Sequence, residues 1–177
     1  MLLHPTLLKL EQMRLRGMAA ALQDQLNTPD IDAMPFLDRL GLMVEHEEAV
    51  RGDRRLARRL HIAKLRLQAS MANLDYGVSR GLDKRLMLHL ASCQWIRRQQ
   101  NVLITGPTGV GKSYVACALA HKACLENFKT RYYRLSRLLE ALQTAREEGS
   151  YLKTLRQLVR LDVLVLGTSS DGSSTAA

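Results

Sequence analysis

Asn101-Val102-Leu103-Ile104-Thr105-Gly106-Pro107-Thr108-Gly109-Val110-Gly111-Lys112-Ser113 joins three patterns of different kinds. Its first five residues form a short apolar run that predicts a strand. A glycine-rich loop ends the run, and a helical pattern from Lys112 to about Glu126 follows directly. Residues 106–113 satisfy GxxxxGK[ST] in full. Gly106, Gly109 and Gly111 allow backbone angles that a side chain would forbid, so the loop's N–H groups, with Pro107, Thr108 and Val110 between the glycines, can turn inward around phosphates. Lys112 brings a positive charge to the β- and γ-phosphates, and the Ser113 hydroxyl can coordinate the Mg²⁺ that bridges them. The helix that follows points its positive end at the same anion. The loop is therefore expected to hold a nucleoside triphosphate, ATP with Mg²⁺.

Reading toward the C-terminus, Lys129 to Leu135 predicts a second strand, 136–147 and 150–160 predict helices, and Asp162-Val163-Leu164-Val165-Leu166 predicts a buried strand. This strand–helix alternation makes the fold class α/β, a parallel sheet covered by helices. ATPases with such a loop hold Mg²⁺ with an acid at the end of a second strand. Here Gly167-Thr168 follow Leu166, Asp171 comes five residues after the strand, and Asp162 precedes it, about 13 Å away at the opposite end. The catalytic carboxylate is missing, and no catalytic residue is assigned.

Toward the N-terminus, 69–100 reads as a connector, with Trp95 as a packing residue and His89 without a special role. Residues 6–26 predict a helix or two, with Gly17 as a candidate break, and a second amphipathic stretch covers 35–50. The stretch 53–68 predicts a strongly basic helix. Arg51, Arg54, Arg55, Arg58, Arg59, Lys64 and Arg66 are accompanied by one acid, Asp53, while Leu56, Leu60, Ala63 and Leu67 form an apolar stripe. A solvated face is the bland reading. The imbalance favours contact with the phosphate backbone of double-stranded DNA.

Composition narrows the classes. The chain of 177 residues is 46% hydrophobic and 24% charged, with a formal charge of +9, which supports a polyanionic partner. Cys93, Cys117 and Cys124 have no paired spacing and read as reduced, half-buried thiols. There is no signal-peptide pattern at the N-terminus and no apolar run near the ~20 residues of a membrane span, so a soluble, cytoplasmic protein is expected.

At this point the residues match a family. MANLDYGVSRGLDKRLMLHLASCQWIRRQQNVLITGPTGVGKSYVACALA resembles the IstB-like transposition-helper ATPases, relatives of the DnaC helicase loaders in the AAA+ class. The similarity continues through RYYRLSRLLEALQTAREEGSYLKTLRQLVRLDVLVL and includes the leading LKLEQMRLRGMAAALQ, so it covers roughly residues 6–166. The resemblance implies an ATP-dependent DNA-binding protein that forms homo-oligomers and works beside a transposase. Gly106, Gly111, Lys112 and Ser113 match the family's phosphate and Mg²⁺ residues. It also implies a pair of acids where Gly167-Thr168 stand, followed by further strands. The chain therefore reads as a truncated copy whose last eleven residues are out of frame. Strand 101–105 would then be left as an exposed apolar edge.

The expected organisation is a helical, basic DNA-binding and assembly domain at 1–68, the connector 69–100, an incomplete P-loop (AAA+) parallel sheet with flanking helices at 101–166, and a disordered tail at 167–177. The leading function is an ATP- and DNA-binding transposition helper that does not turn ATP over. A helicase loader, a small-molecule P-loop kinase and a non-enzymatic DNA-binding fragment are the alternatives.

Overall fold

The computed structural model describes residues 4–77 and 81–168; most of the tail expected at 167–177 lies outside them. The chain divides into two compact units, residues 1–57 and 58–177. Residues 58–177 carry 19 of the 26 Lys and Arg and 8 of the 17 Asp and Glu, a formal +11, whereas residues 1–57 carry −2.

In the first unit, α1 spans Pro5–Gln12 and α2 spans Arg16–Asn27. The break falls at Arg14, whose φ is 62°, and not at Gly17, which lies inside α2. Gly17 has another reason to be glycine. A Cβ there would sit 2.6 Å from the Glu47 Cα. The two stretches read separately at 35–50 and 53–68 form one helix, α3 (Phe36–Ala63), which ends five residues before the expected limit. Gly52 does not break it, because an isolated glycine in a helix interior costs only about 1 kcal/mol.

No side chain of its own caps α2, so its first N–H groups need outside partners. Glu47 of α3 supplies them: Gly17 N–H donates to its Oε2 at 2.6 Å and Met18 N–H at 3.1 Å, while Arg51 Nε donates to Oε1 at 2.7 Å. Burial pushes the Glu47 carboxyl up, but these three bonds together outweigh it and hold the group below the ordinary carboxylate range. Because the folded pKa is depressed, the stabilisation is present above the ordinary carboxylate pKa and disappears as pH falls through the folded value. Glu47→Gln should therefore lower the stability of the 1–57 unit at neutral pH and make little difference in acid. Gly17→Ala should cost about 1–3 kcal/mol by overpacking. Thermal melts of the full chain at pH 7 and pH 3, followed by helical circular dichroism, check both.

In the second unit, α4 (Lys84–Ala91) and the short α5 (Gln94–Arg97) lead to α6 (Lys112–Leu125). Then come β1 (Thr130–Arg134), α7 (Leu135–Glu147), α8 (Tyr151–Val159) and β2 (Val163–Gly167). The strands pair in parallel, with Thr130 opposite Val163 and Arg134 opposite Gly167. Asp162 locks the start of this pair, accepting from Lys129 N–H through Oδ2 at 2.7 Å.

α6 is apolar nearly all round and forms the core. Cys117, Ala118 and Leu119 pack with Ala69, Leu74, Met87 and Tyr132, while Ala123 packs with Cys93, Ile96 and Val163. The three thiols are buried outright rather than half-buried, and all are free. Burial raises the pKa of Cys93 and of Cys124, which keeps both as inert thiols.

The strand expected at 101–105 does not form. Among the described residues the sheet contains only β1 and β2, and residues 101–110 make no backbone-to-backbone hydrogen bond. The segment keeps a strand's alternation: Val102 and Ile104 pack on the core and Leu103 is 87% exposed. An apolar run predicts which face turns inward, but a strand also needs a neighbour with free N–H and C=O groups, and neither β1 nor β2 serves as one.

Candidate functional site

The glycine-rich loop sits at the amino end of α6. Gly111 precedes the helix as its N-cap residue at φ 93°, and Gly109 adopts φ 85°, both in the region that glycine enters without strain. The amino end of the helix therefore faces the loop with its first N–H groups unbonded. The unpaired segment 101–105 leads in from the core, and Ser113 occupies the second position of α6, half-buried.

The ammonium of Lys112 donates to the carbonyl oxygens of Gly106 at 2.7 Å and Pro107 at 2.6 Å. The loop is thus closed around the cation that phosphate would receive. A phosphate competes for the same ammonium through charge-assisted bonds, which are stronger than bonds to neutral carbonyls.

A cleft of about 750 Å³ opens beside the loop. Val110, Gly111 and Lys112 line its loop end, and Leu74, Leu82, Leu86, Leu90 and Tyr114 give it an apolar lining. Its volume lies within the range of small-molecule sites. Asn73 and Asp75 are the polar groups of the connector that line it. Sequence reading missed Asp75, because the motif NLDYG carries no chemical signature of its own. Asp75 Oδ1 accepts from Gly77 N–H at 2.8 Å, which turns the chain at the cleft's edge.

At the end of β2, where ATPases of this kind carry a metal-holding acid, Gly167 is covered by the ring of Tyr132. A Cβ on Gly167 would run into the Tyr132 hydroxyl oxygen and lie 2.8 Å from Cζ. Tyr132 is 8% exposed and its hydroxyl has no hydrogen-bond partner among the described residues. Among the described residues no three His, Cys, Asp or Glu side chains gather into a metal-binding group. The residues present fit a triphosphate, whose own oxygens together with Ser113 would be the ligands of any Mg²⁺.

The basic residues separate into two kinds. Arg51 is held by Glu47, and Arg59 Nε donates to the Cys124 carbonyl at 2.9 Å, satisfying a carbonyl at the C-terminal end of α6. Arg54, Arg55 and Arg58 are exposed on α3 and have no ion pair among the described residues. Lys64 and Arg66 are exposed but lie beyond the end of α3, Lys64 with a left-handed φ of 46°. No helix of the described residues is long and apolar enough to cross a membrane.

Comparison with known proteins agrees with this geometry. Residues 8–170 match the model of a family described as IstB-like ATP binding protein. The chain is 47% identical over 167 residues to a protein of Pseudomonas fluorescens named for ATP binding in insertion sequence IS1162, covering 94% of this chain and 72% of that protein. An insertion-sequence protein of Sinorhizobium fredii, also named for ATP binding, is 43% identical, with 94% of this chain and 68% of the relative covered. The corresponding protein of insertion sequence IS21 from Pseudomonas aeruginosa is 26% identical over 93% of this chain and 62% of its own length.

Proposed function

This chain belongs to the family of IstB-like ATP-binding proteins of insertion sequences, and from that premise we propose that it binds Mg²⁺-ATP and double-stranded DNA as a helper to a transposase. The single observation that carries the nucleotide part is the loop 106–113 seated at the amino end of α6 and opening into an apolar-lined cleft. Lys112 and the loop N–H groups hold the phosphates, and Ser113 contributes its hydroxyl to Mg²⁺. The bound metal would neutralise phosphate charge. The base and sugar occupy the cleft between Leu82, Leu86 and Tyr114.

DNA contact is supported by charge. The exposed Arg54, Arg55, Arg58, Lys64 and Arg66 provide cations that have no ion pair among the described residues, and residues 58–177 are formally +11. Contact is to phosphates, so sequence preference is weak. The helical segment 1–68 contributes to assembly into homo-oligomers. With Gly167 at the end of β2, ATP acts by occupancy and is not turned over.

Purified protein should bind ATP with an affinity that needs Mg²⁺, and should release no phosphate above background with or without duplex DNA. DNA binding should weaken steeply with salt. Turnover that depends on the loop would remove the occupancy reading, and ATP binding that ignores Mg²⁺ would remove the role of Ser113. The second reading, a DNA-binding protein indifferent to nucleotide, is favoured by the concentration of positive charge. Equal DNA affinity with and without ATP would select it.

A further inference from the structure

A second cleft, of about 650 Å³, lies where the chain leaves α3 and passes over α6. Its polar lining is His61, Lys64, Gln68, Ser70 and Asn73 from the end of α3 and the connector, and His121 from α6. No acid lines it. From this we infer a phosphodiester-binding site in which Lys64, His61 and His121 grip the backbone of a nucleic acid; the inference rests on the DNA-binding reading above and gives it a location.

Charge alone would not carry the point. A cation just past the last turn of α3 also offsets the negative end of that helix. That role accounts for Lys64 and His61 and leaves the rest unexplained. His121 belongs to a different helix, and Gln68, Ser70 and Asn73 add amide and hydroxyl donors to the same hollow. Two imidazoles, an ammonium, two amides and a hydroxyl form a set that can donate from several directions to one tetrahedral anion. The left-handed φ of 46° at Lys64 turns the chain sharply there, so Lys64 and the connector residues face one hollow. Lys64 is exposed and has no ion pair among the described residues. Asn73 lines both clefts, which puts the proposed backbone contact next to the nucleotide site.

Fluorescence anisotropy with the full chain and two labelled duplexes of unrelated sequence tests this across a range of salt. The double variant Lys64→Gln/His121→Gln should bind both duplexes about tenfold more weakly, and equally so, with the salt slope shallower by about 1. Lys64→Arg should restore most of the affinity, and the affinity for Mg²⁺-ATP alone should be unchanged. Circular dichroism of the double variant confirms its fold, and His61→Gln gives a second, independent substitution. Unchanged affinity and slope in all these variants, with wild type binding DNA, would overturn the site while leaving DNA binding intact. A loss confined to one duplex would replace backbone contact by base contact. A loss of ATP affinity with DNA affinity unchanged would assign the cleft to the nucleotide's phosphates. Failure of wild-type protein to bind either duplex at low salt would remove the DNA-binding reading itself.

Discussion

Lys112→Ala should weaken Mg²⁺-ATP binding by about 100-fold or more, the loss of about 2.8 kcal/mol or more of charge-assisted contact. The side chain's present partners are the loop's own carbonyls of Gly106 and Pro107, so its removal has two effects. The phosphates lose a cation, and the loop loses the two bonds that hold it closed. Global stability should change little, because the ammonium is solvent-exposed and its bonds are local to the loop. Calorimetric titration with Mg²⁺-ATP separates binding from stability, with a thermal melt of the same sample as control. Ser113→Ala should instead leave metal-free ATP binding unchanged and remove the gain produced by Mg²⁺. If Lys112→Ala bound ATP as wild type does, the phosphates would have to sit elsewhere than the loop.

Filling Gly167 should be the most damaging single-atom change in the second unit. The added methyl of Gly167→Ala would run into the buried Tyr132 hydroxyl, so the ring or the strand end must shift, at about 1–3 kcal/mol. Tyr132→Phe removes the clashing atom and a hydroxyl that has no hydrogen-bond partner among the described residues. An orphaned buried polar group costs about 1–3 kcal/mol, so this substitution should be neutral or stabilising. The double variant should then recover most of what Gly167→Ala loses, giving a large coupling energy between neighbours. Urea unfolding of the four proteins measures it. Additive effects would mean that Tyr132 moves aside freely. The pair has a functional side too. An aspartate introduced at Gly167 to supply the missing carboxylate has no room until Tyr132 is trimmed, so restoring an acid to this strand end takes two substitutions.

Much of this arrangement was legible in the sequence. The loop motif located the amino end of α6, and the apolar runs located β1 and β2 to within a residue or two, because glycine chemistry and burial are local properties. The elements that escaped depend on distant partners. Val102 and Ile104 face the core as the pattern of 101–105 implies, yet no ladder forms, since pairing is decided by another segment. Gly17 looked like a helix break and instead makes room for Glu47, thirty residues away. Nothing near Lys64 announced the left-handed turn that takes it off α3, and nothing in NLDYG showed that Asp75 would line a cleft with Lys112. The basic residues were legible as a group. Their division into Arg51 and Arg59, held by protein partners, and the exposed remainder required coordinates.

The bare backbone of residues 101–110 also gives the protein a built-in reporter. Among the described residues these amides find no backbone acceptor, and an amide so placed trades hydrogen for deuterium without waiting for an unfolding event. The neighbouring amides of α6 are locked in a helix and exchange far more slowly. A triphosphate bound at the loop would offer acceptors to the amides of 106, 108, 109, 110 and 111, whereas 107 is a proline with no N–H, and Leu103 lies in the lead-in segment. Deuterium uptake in this one stretch would therefore slow in the loop and stay fast in the lead-in when nucleotide is bound, recording occupancy without a label and without catalysis.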